Sequence, residues 1–261
     1  MGTFAVILPA AGRSTRFGDP KQKKIYAELD GRAVWLRALD AFLNRGDVGQ
    51  IVVAIAPDDR ELFERRYRPN VAFHNITVVD GGAERPDSIA RALEAVEPSC
   101  DYIAVHDAAR PCLTSEIVDA VFAAALEHGA AVPGVAVADT LKRVDADGVI
   151  VETVPRTALF GVQTPQAFRR DLLVRAYDAR SRESSPATDD ATLVEALGHP
   201  VRIVDGSPMN IKITTAADLR LALAILQSTP KPARDAPAHP FADEQSMWGD
   251  LPKKKPGDLF S

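Results

Sequence analysis

Near its start the chain sets a run of almost empty side chains, Pro9-Ala10-Ala11-Gly12, ahead of Arg13, Arg16, Lys21, Lys23 and Lys24. Small residues let a ligand lie against the backbone. The N–H groups of Ala10, Ala11, Gly12, Ser14 and Gly18 are then free to face an anion, while the basic side chains supply charge. That is the chemistry of a phosphate cradle. It matches neither common phosphate loop, because the glycines fall at 12 and 18, so G-x-G-x-x-G is absent, and no Gly-Lys-Ser/Thr follows. Taken alone, the loop reads equally well as a glycine turn with a solvated basic face.

Further along, Asp107 at the end of an apolar run suits an Mg2+ ligand, since Mg2+ in nucleotide sites takes few protein carboxylates and several phosphate oxygens. A helix cap or a partner for Arg110 is the competing assignment. His106 has no second His or Cys at metal spacing and reads as a structural histidine. Gly81-Gly82 is either a simple turn or a place where a flat base meets backbone. Lys212 lies in Asn210-Ile211-Lys212-Ile213-Thr214, and a lysine among β-branched residues either marks a sheet edge or points into a site. Thr140, Lys142, Arg156 and Thr164 are unremarkable singly, and a solvated face explains Lys142.

The elements that must position these residues follow from periodicity. Residues 4–8, 51–55, 76–79, 102–105 and 130–135 are short apolar, β-branched runs that read as buried strands. Helical spacing marks 34–43, 61–66, 89–96 and 116–128, with Pro86 near one helix start and Thr114 capping another. Strands alternating with helices predict a Rossmann-like α/β fold, a mostly parallel sheet with helices on both faces. In such a sheet the loops after the strands open on a common crevice, so the Gly12, Gly81 and His106-Asp107 loops should converge.

After Pro133-Gly134 the pattern changes. Residues 140–144 and 149–154 are β-rich around an Asp145-Ala146-Asp147-Gly148 turn, which predicts a protruding hairpin arm over about 138–156. A hairpin with so little core needs another body to pack on, such as a second subunit. Then come a Gln163-Thr164-Pro165-Gln166 loop, a helix at about 171–180, a polar loop over 181–188, a helix over 189–197, strands at 201–204 and 210–213, and a last helix at 216–226. Thr215 and Asp218 resemble a capping box at its start. One domain over 1–227 is expected, and the proline- and charge-rich stretch 228–261 reads as a disordered or loosely docked tail.

A hydrophobic content of 46% over 261 residues supports a full core, and the net charge of −5 argues against nucleic-acid binding while making the local basic loop stand out. Cys100 and Cys112 have no paired spacing and read as reduced thiols in a cytoplasmic protein. No apolar run approaches membrane-spanning length, and the N-terminus has no export pattern.

Six motifs occur in one order: PAAGRSTRFG, GGAERPDSI, HDAARP, ADTLKR, QTPQ and NIKIT. Over about residues 4–227 the chain resembles the 2-C-methyl-D-erythritol 4-phosphate cytidylyltransferases of the non-mevalonate isoprenoid pathway. The resemblance implies transfer of CMP from CTP to the sugar-alcohol phosphate with Mg2+ and release of pyrophosphate, by direct attack on the α-phosphorus. It implies catalytic roles for Arg16, the loop lysine and Lys212, and CTP contacts from Ala10, Ala11, Gly12, Gly82, Ser88 and Ala108. Asp107 matches the metal ligand, and Thr140, Arg156 and Thr164 match residues that hold the erythritol phosphate. It also implies a homodimer with exchanged arms. Two departures stand out. The family commonly has Asp where this chain has Ala83, which loosens the expected hold on cytosine. And Pro20-Lys21-Gln22 matches the family's P-K-Q literally, whereas spacing back from Leu29-Asp30-Gly31 selects Lys24, the register favoured here. The alternatives are a cytidylyltransferase for ribitol or ribulose 5-phosphate or another sugar phosphate, which Thr140, Arg156 and Thr164 would distinguish, and a non-catalytic nucleotide-binding module. The retained charges of Arg16, Lys24, Asp107 and Lys212 argue against the latter.

Overall fold

The first strand, β1 (Phe4–Ala10), is an inner, almost wholly buried strand of the main sheet. From it the chain passes through a small ribbon, β2 (Glu28–Leu29) with β3 (Arg32–Ala33), and one helical turn, α1 (Val34–Arg37). The order continues β4 (Val48–Ile55), α2 (Arg60–Phe73), β5 (Ile76–Asp80), α3 (Arg85–Glu94), β6 (Tyr102–Val105), α4 (Ser115–His128) and β7 (Ala130–Ala136). A hairpin of β8 (Leu141–Val144) and β9 (Ile150–Val154) precedes β10 (Phe160–Val162) and β11 (Gln166–Arg169). Then follow α5 (Arg170–Asp178), α6 (Asp190–Ala196), β12 (Arg202–Asp205) and α7 (Ala216–Ser228). This computed structural model describes residues 2–12, 14, 17, 23–180 and 189–228. Arg13, Arg16, Gly18, Lys21, the 181–188 loop and the tail beyond 228 lie outside the described residues.

Among the described residues, eight strands form one sheet in the order β10-β7-β11-β6-β1-β4-β5, with β12 on β7. The β1–β4, β1–β6, β4–β5 and β7–β12 pairs are parallel. The chain is thus the expected α/β sheet with helices on both faces. Phe4, Val6 and Leu8 pack on one face with Trp35, Phe42 and Phe122, while Ala5 and Ile7 pack on the other with Ile89, Phe168 and Leu172. Because both faces are covered, β1 reads as an unbroken apolar run rather than an alternating one.

Several elements depart from expectation. Helix α1 stops after one turn. Leu39, Asp40 and Phe42 then donate to carbonyls three residues back, so the buried positions 34–43 are met by tight turns. Helix α2 runs past the expected 61–66 and keeps Pro69 inside it. The loop expected at 163–166 instead ends in β11, wedged antiparallel between β6 and β7. The segment 210–213, expected as a strand, forms none among the described residues; the Ile213 amide donates to the Ala109 carbonyl, and Ile211 and Ile213 pack with Val34 and with Ala222 of α7. The Thr215–Asp218 capping box is present: the Thr215 amide donates to Asp218 Oδ2 at 2.8 Å and the Asp218 amide donates to Thr215 Oγ1 at 3.3 Å. The β8–β9 hairpin forms with its turn at Asp145–Gly148, and it stands almost wholly exposed.

Candidate active site

Parallel strands aim their C-terminal ends the same way, and the ends of β1, β4, β5 and β6 open on one cavity of about 510 Å³. Ala10, Ala11 and Gly12 line it from β1, Ala56 to Asp58 from β4, Gly81 to Arg85 from β5, and Asp107 to Ala109 from β6; Lys23, Lys24, Ser88, Arg91 and Lys212 complete the wall. Among the described lining residues, the cations Lys23, Lys24, Arg85, Arg91 and Lys212 face only Asp58, Glu84 and Asp107. The balance favours a polyanion.

The two lysines reach this cavity from opposite ends of the chain. Lys24 opens a 3-10 turn, its amide donating to Ser14 Oγ at 3.3 Å and its Nζ to the Ile213 carbonyl at 2.8 Å. Lys212, one residue before that carbonyl, places its Nζ 2.8 Å from Asp107 Oδ2. Asp107 also sees Arg110 at 3.4 Å and Arg85 at 3.5 Å. Burial alone would raise its carboxyl, but Lys212, Arg85 and Arg110 outweigh burial and hold it well below the usual carboxylate range. Both arginines are anchored elsewhere, Arg85 by Asp190 Oδ2 at 2.8 Å and Arg110 by the Asn210 carbonyl at 2.7 Å. Lys212, with its side chain 40% exposed, is the exchangeable partner of the three.

His106 is buried and structural, as its spacing suggested. Its Nε2 meets the Arg110 carbonyl at 3.1 Å, and a carbonyl only accepts, so the proton sits there. Nδ1 then accepts from the Thr164 hydroxyl at 3.0 Å, and Thr164 Oγ1 in turn accepts the Asp107 amide at 3.0 Å. Burial pushes the imidazole down to about 4, so it is neutral near pH 7. Thr164, matched by resemblance to a substrate contact, is buried beneath the Asp107 loop and is not among the residues lining the cavity. Its hydroxyl shapes the loop that carries the carboxylate.

Ser88 plays a similar part. Its hydroxyl donates to the Glu84 carbonyl and accepts the Gly82 amide at 3.0 Å, closing the loop after β5. A Cβ on Gly81 would collide with Ala11 and Ser88, and one on Gly82 with Asp87, so these glycines are set by the protein's own close packing. Gly12 differs: a Cβ there meets nothing within 4 Å. Thr140 and Arg156 stand at the base of the arm, just outside the Leu141–Val154 pair and away from the Asp145–Gly148 tip; both are exposed, and Arg156 makes no ion pair among the described residues.

For a divalent metal the donors present are selective. Among the described residues no three His, Cys, Asp or Glu side chains gather as a cage. A single ionised carboxylate at the wall of a cationic cavity does fit a hard cation shared with phosphate oxygens. Sequence reasoning missed Arg85, Arg91 and Asp190. Arg85 sits inside a motif that reads as a strand breaker, and nothing local joins it to Asp190 across 105 residues.

The profile of the 2-C-methyl-D-erythritol 4-phosphate cytidylyltransferase (IspD) family matches residues 4–228. This chain belongs to that family. A relative of the same name from Frankia casuarinae is 46% identical over 89% of this chain and 84% of its own length. One from Rhodopirellula baltica is 43% identical over 86% and 95%. The crystal structure of the Thermus thermophilus cytidylyltransferase superimposes with a TM-score of 0.70 at 36% identity, covering 85% of this chain and 98% of that one. The Anaerococcus prevotii 4-diphosphocytidyl-2C-methyl-D-erythritol synthase gives 0.74 at 28%, covering 87% and 96%. The chain is therefore a nucleotidyltransferase that converts CTP and 2-C-methyl-D-erythritol 4-phosphate to 4-diphosphocytidyl-2-C-methyl-D-erythritol and pyrophosphate, in isoprenoid precursor synthesis. Neither a pentitol phosphate acceptor nor a non-catalytic role is favoured by these likenesses.

Proposed function

We propose that this cytidylyltransferase works by charge neutralisation and in-line positioning, with Lys24, Lys212 and Arg16 around the reacting phosphates. The observation that carries this is the meeting of Lys24 and Lys212 in the cavity behind Gly12 and Asp107. The CTP triphosphate lies against Ala10, Ala11 and Gly12, its base toward Gly82 and Ser88, and its sugar near Ala108. An oxygen of the acceptor phosphate attacks the α-phosphorus as the bond to the pyrophosphate oxygen breaks. Every proton stays where it was, because the nucleophile is already an anion. Amines aimed at charge that builds in the transition state are worth about 100- to 1,000-fold in rate each. Asp107 is the residue that would hold Mg2+, an ion that in nucleotide sites takes few protein carboxylates. Bound there, the metal supplies charge neutralisation of the triphosphate.

Thr140 and Arg156 serve the acceptor phosphate of the partner subunit's site in a homodimer with exchanged arms. In support, Val149, Ile150 and Val151 on the arm are each more than half exposed, an apolar surface that needs a cover. Thr164 contributes by fixing the Asp107 loop. A cytoplasmic location agrees with soluble substrates, and no helix among the described residues is long and apolar enough to cross a membrane. The test is pyrophosphate release from CTP and methylerythritol phosphate by Lys24→Ala and Lys21→Ala chains. Lys24→Ala should lose about 100- to 1,000-fold in kcat, and Lys21→Ala only several-fold, mainly at low salt. If Lys21→Ala is the crippled chain, the register assigned to this loop is wrong.

A further inference from the structure

Lys24 ends the basic run Arg13, Arg16, Lys21, Lys23 and Lys24 in the sequence, and a lysine side chain has many rotamers, so something must fix where its amine stands. We infer that Asp59 is a positioning residue for Lys24, acting as a clasp that ties both ends of the turn carrying that lysine. The inference rests on the role proposed for Lys24 above.

Asp59 stands at the N-cap of α2, where an aspartate ordinarily accepts from amides of the first helical turn. It makes no such bond. Its carboxylate turns the other way, and a single oxygen, Oδ2, accepts from Lys23 Nζ at 2.7 Å and from the Tyr26 hydroxyl at 3.0 Å. These two donors bracket Lys24. With residues 23 and 26 tied to the N-cap of α2, the 3-10 turn between them sends Lys24 into the cavity, where Nζ reaches the Ile213 carbonyl.

The clasp is built into the core. Asp59 and Tyr26 are buried, and the Tyr26 ring stacks on Tyr67 with centroids 5.9 Å apart and lies 6.3 Å from Phe63, both on α2. Burial, with Asp59 beside it, drives the phenol far above its usual range, so it remains a donor at any working pH. An acceptor with one charged and one neutral donor in a mostly dry setting is a rigid anchor. Rigidity matters here, since displacing a catalytic group by about 1 Å can cost about 100-fold. The Lys23–Asp59 pair engages one of the lysine amines of the cavity wall on the side of α2.

The experiment is a double-mutant cycle on the full chain, read by pyrophosphate release with both substrates varied, and by thermal melts. Asp59→Ala should lower kcat by about 10- to 100-fold while KM for CTP moves by less than about threefold. In a Lys24→Ala background the same substitution should change kcat by less than about twofold, since no amine is left to place. Lys23→Met and Tyr26→Phe, which each remove one donor and keep bulk, should each show part of the loss and also fall silent in that background. They carry the test if Asp59→Ala does not fold. A loss that multiplies with Lys24→Ala would overturn the clasp, because the damage would then be general. Full kcat in Asp59→Ala, or in both single-donor variants, would do the same. So would a Lys23→Met chain whose only defect is a raised KM for CTP, since Lys23 would itself be the phosphate ligand. A Lys24→Ala chain as active as wild type would remove the parent assignment and the clasp with it.

Discussion

The arm offers the sharpest test of how the active site is assembled. Arg156 follows β9, is exposed, and has no ionic partner among the described residues, whereas Lys24 lies in the cavity. If Arg156 acts across a dimer interface, Lys24→Ala and Arg156→Ala lesions can be sorted onto one site. Chains carrying one lesion or the other are co-expressed. In a mixed dimer, the site built from the Lys24→Ala cavity and the Arg156→Ala arm is doubly damaged, and the second site is intact. Random two-fold pairing makes half the dimers mixed with one good site in two, so about a quarter of wild-type activity returns. Purifying the mixed dimer through two different tags should raise that to about half per dimer. Pyrophosphate release at saturating substrates reads the result against both parents, each expected to lie about 100-fold or more below wild type. If Arg156 serves its own chain, every site keeps one lesion and nothing returns. Tagged mixed dimers no better than their parents would refute arm exchange, and an active Arg156→Ala parent would refute the role of Arg156.

Three further outcomes follow from the geometry. His106 is pushed down to about 4 by burial, below its unfolded value near 6.5. A depressed folded pKa contributes stability that is full above the unfolded value and drains as pH falls. Urea melts should therefore show about 3 kcal/mol lost between pH 7 and pH 4 through this group, a slope that His106→Gln, less stable at pH 7, should lack. Asp218→Ala removes the acceptor for the Thr214 and Thr215 amides and the Thr214 hydroxyl. It should cost about 1 kcal/mol by chemical denaturation and lower kcat by loosening the 210–213 segment that carries Lys212; unchanged kcat would mean that Ile211 and Ile213 alone hold it. With Ala83 in place of an acidic side chain, UTP should be used weakly but measurably. Discrimination above about 10⁴-fold would mean that buried backbone groups read the base unaided.

How far the sequence reaches depends on the range of the interaction that decides each feature. The central strands were legible because both faces are covered by apolar layers, so residues 4–8, 51–55 and 102–105 appear as uninterrupted apolar runs. Ends set within a few residues were legible too: the Thr215–Asp218 box and the Asp145–Gly148 turn. The phosphate cradle and Asp107 could be placed in one crevice because parallel strands share an exit direction. Where the partner is distant, local pattern had nothing to say. Four residues, Gln166 to Arg169, are a strand only because β6 and β7 leave a gap for them, while 210–213 looks like a strand yet finds no edge. The Lys24 amine meets the Ile213 carbonyl across 189 residues, and Arg85 finds Asp190 across 105. Asp59 shows the same limit most plainly. By spacing it belongs to a turn and a helix start, and only the packed neighbourhood of Tyr26 and Lys23 turns its carboxylate toward the loop. Periodicity and caps are local free energies written in neighbouring residues, whereas the partners of a buried charge are chosen by the fold as a whole.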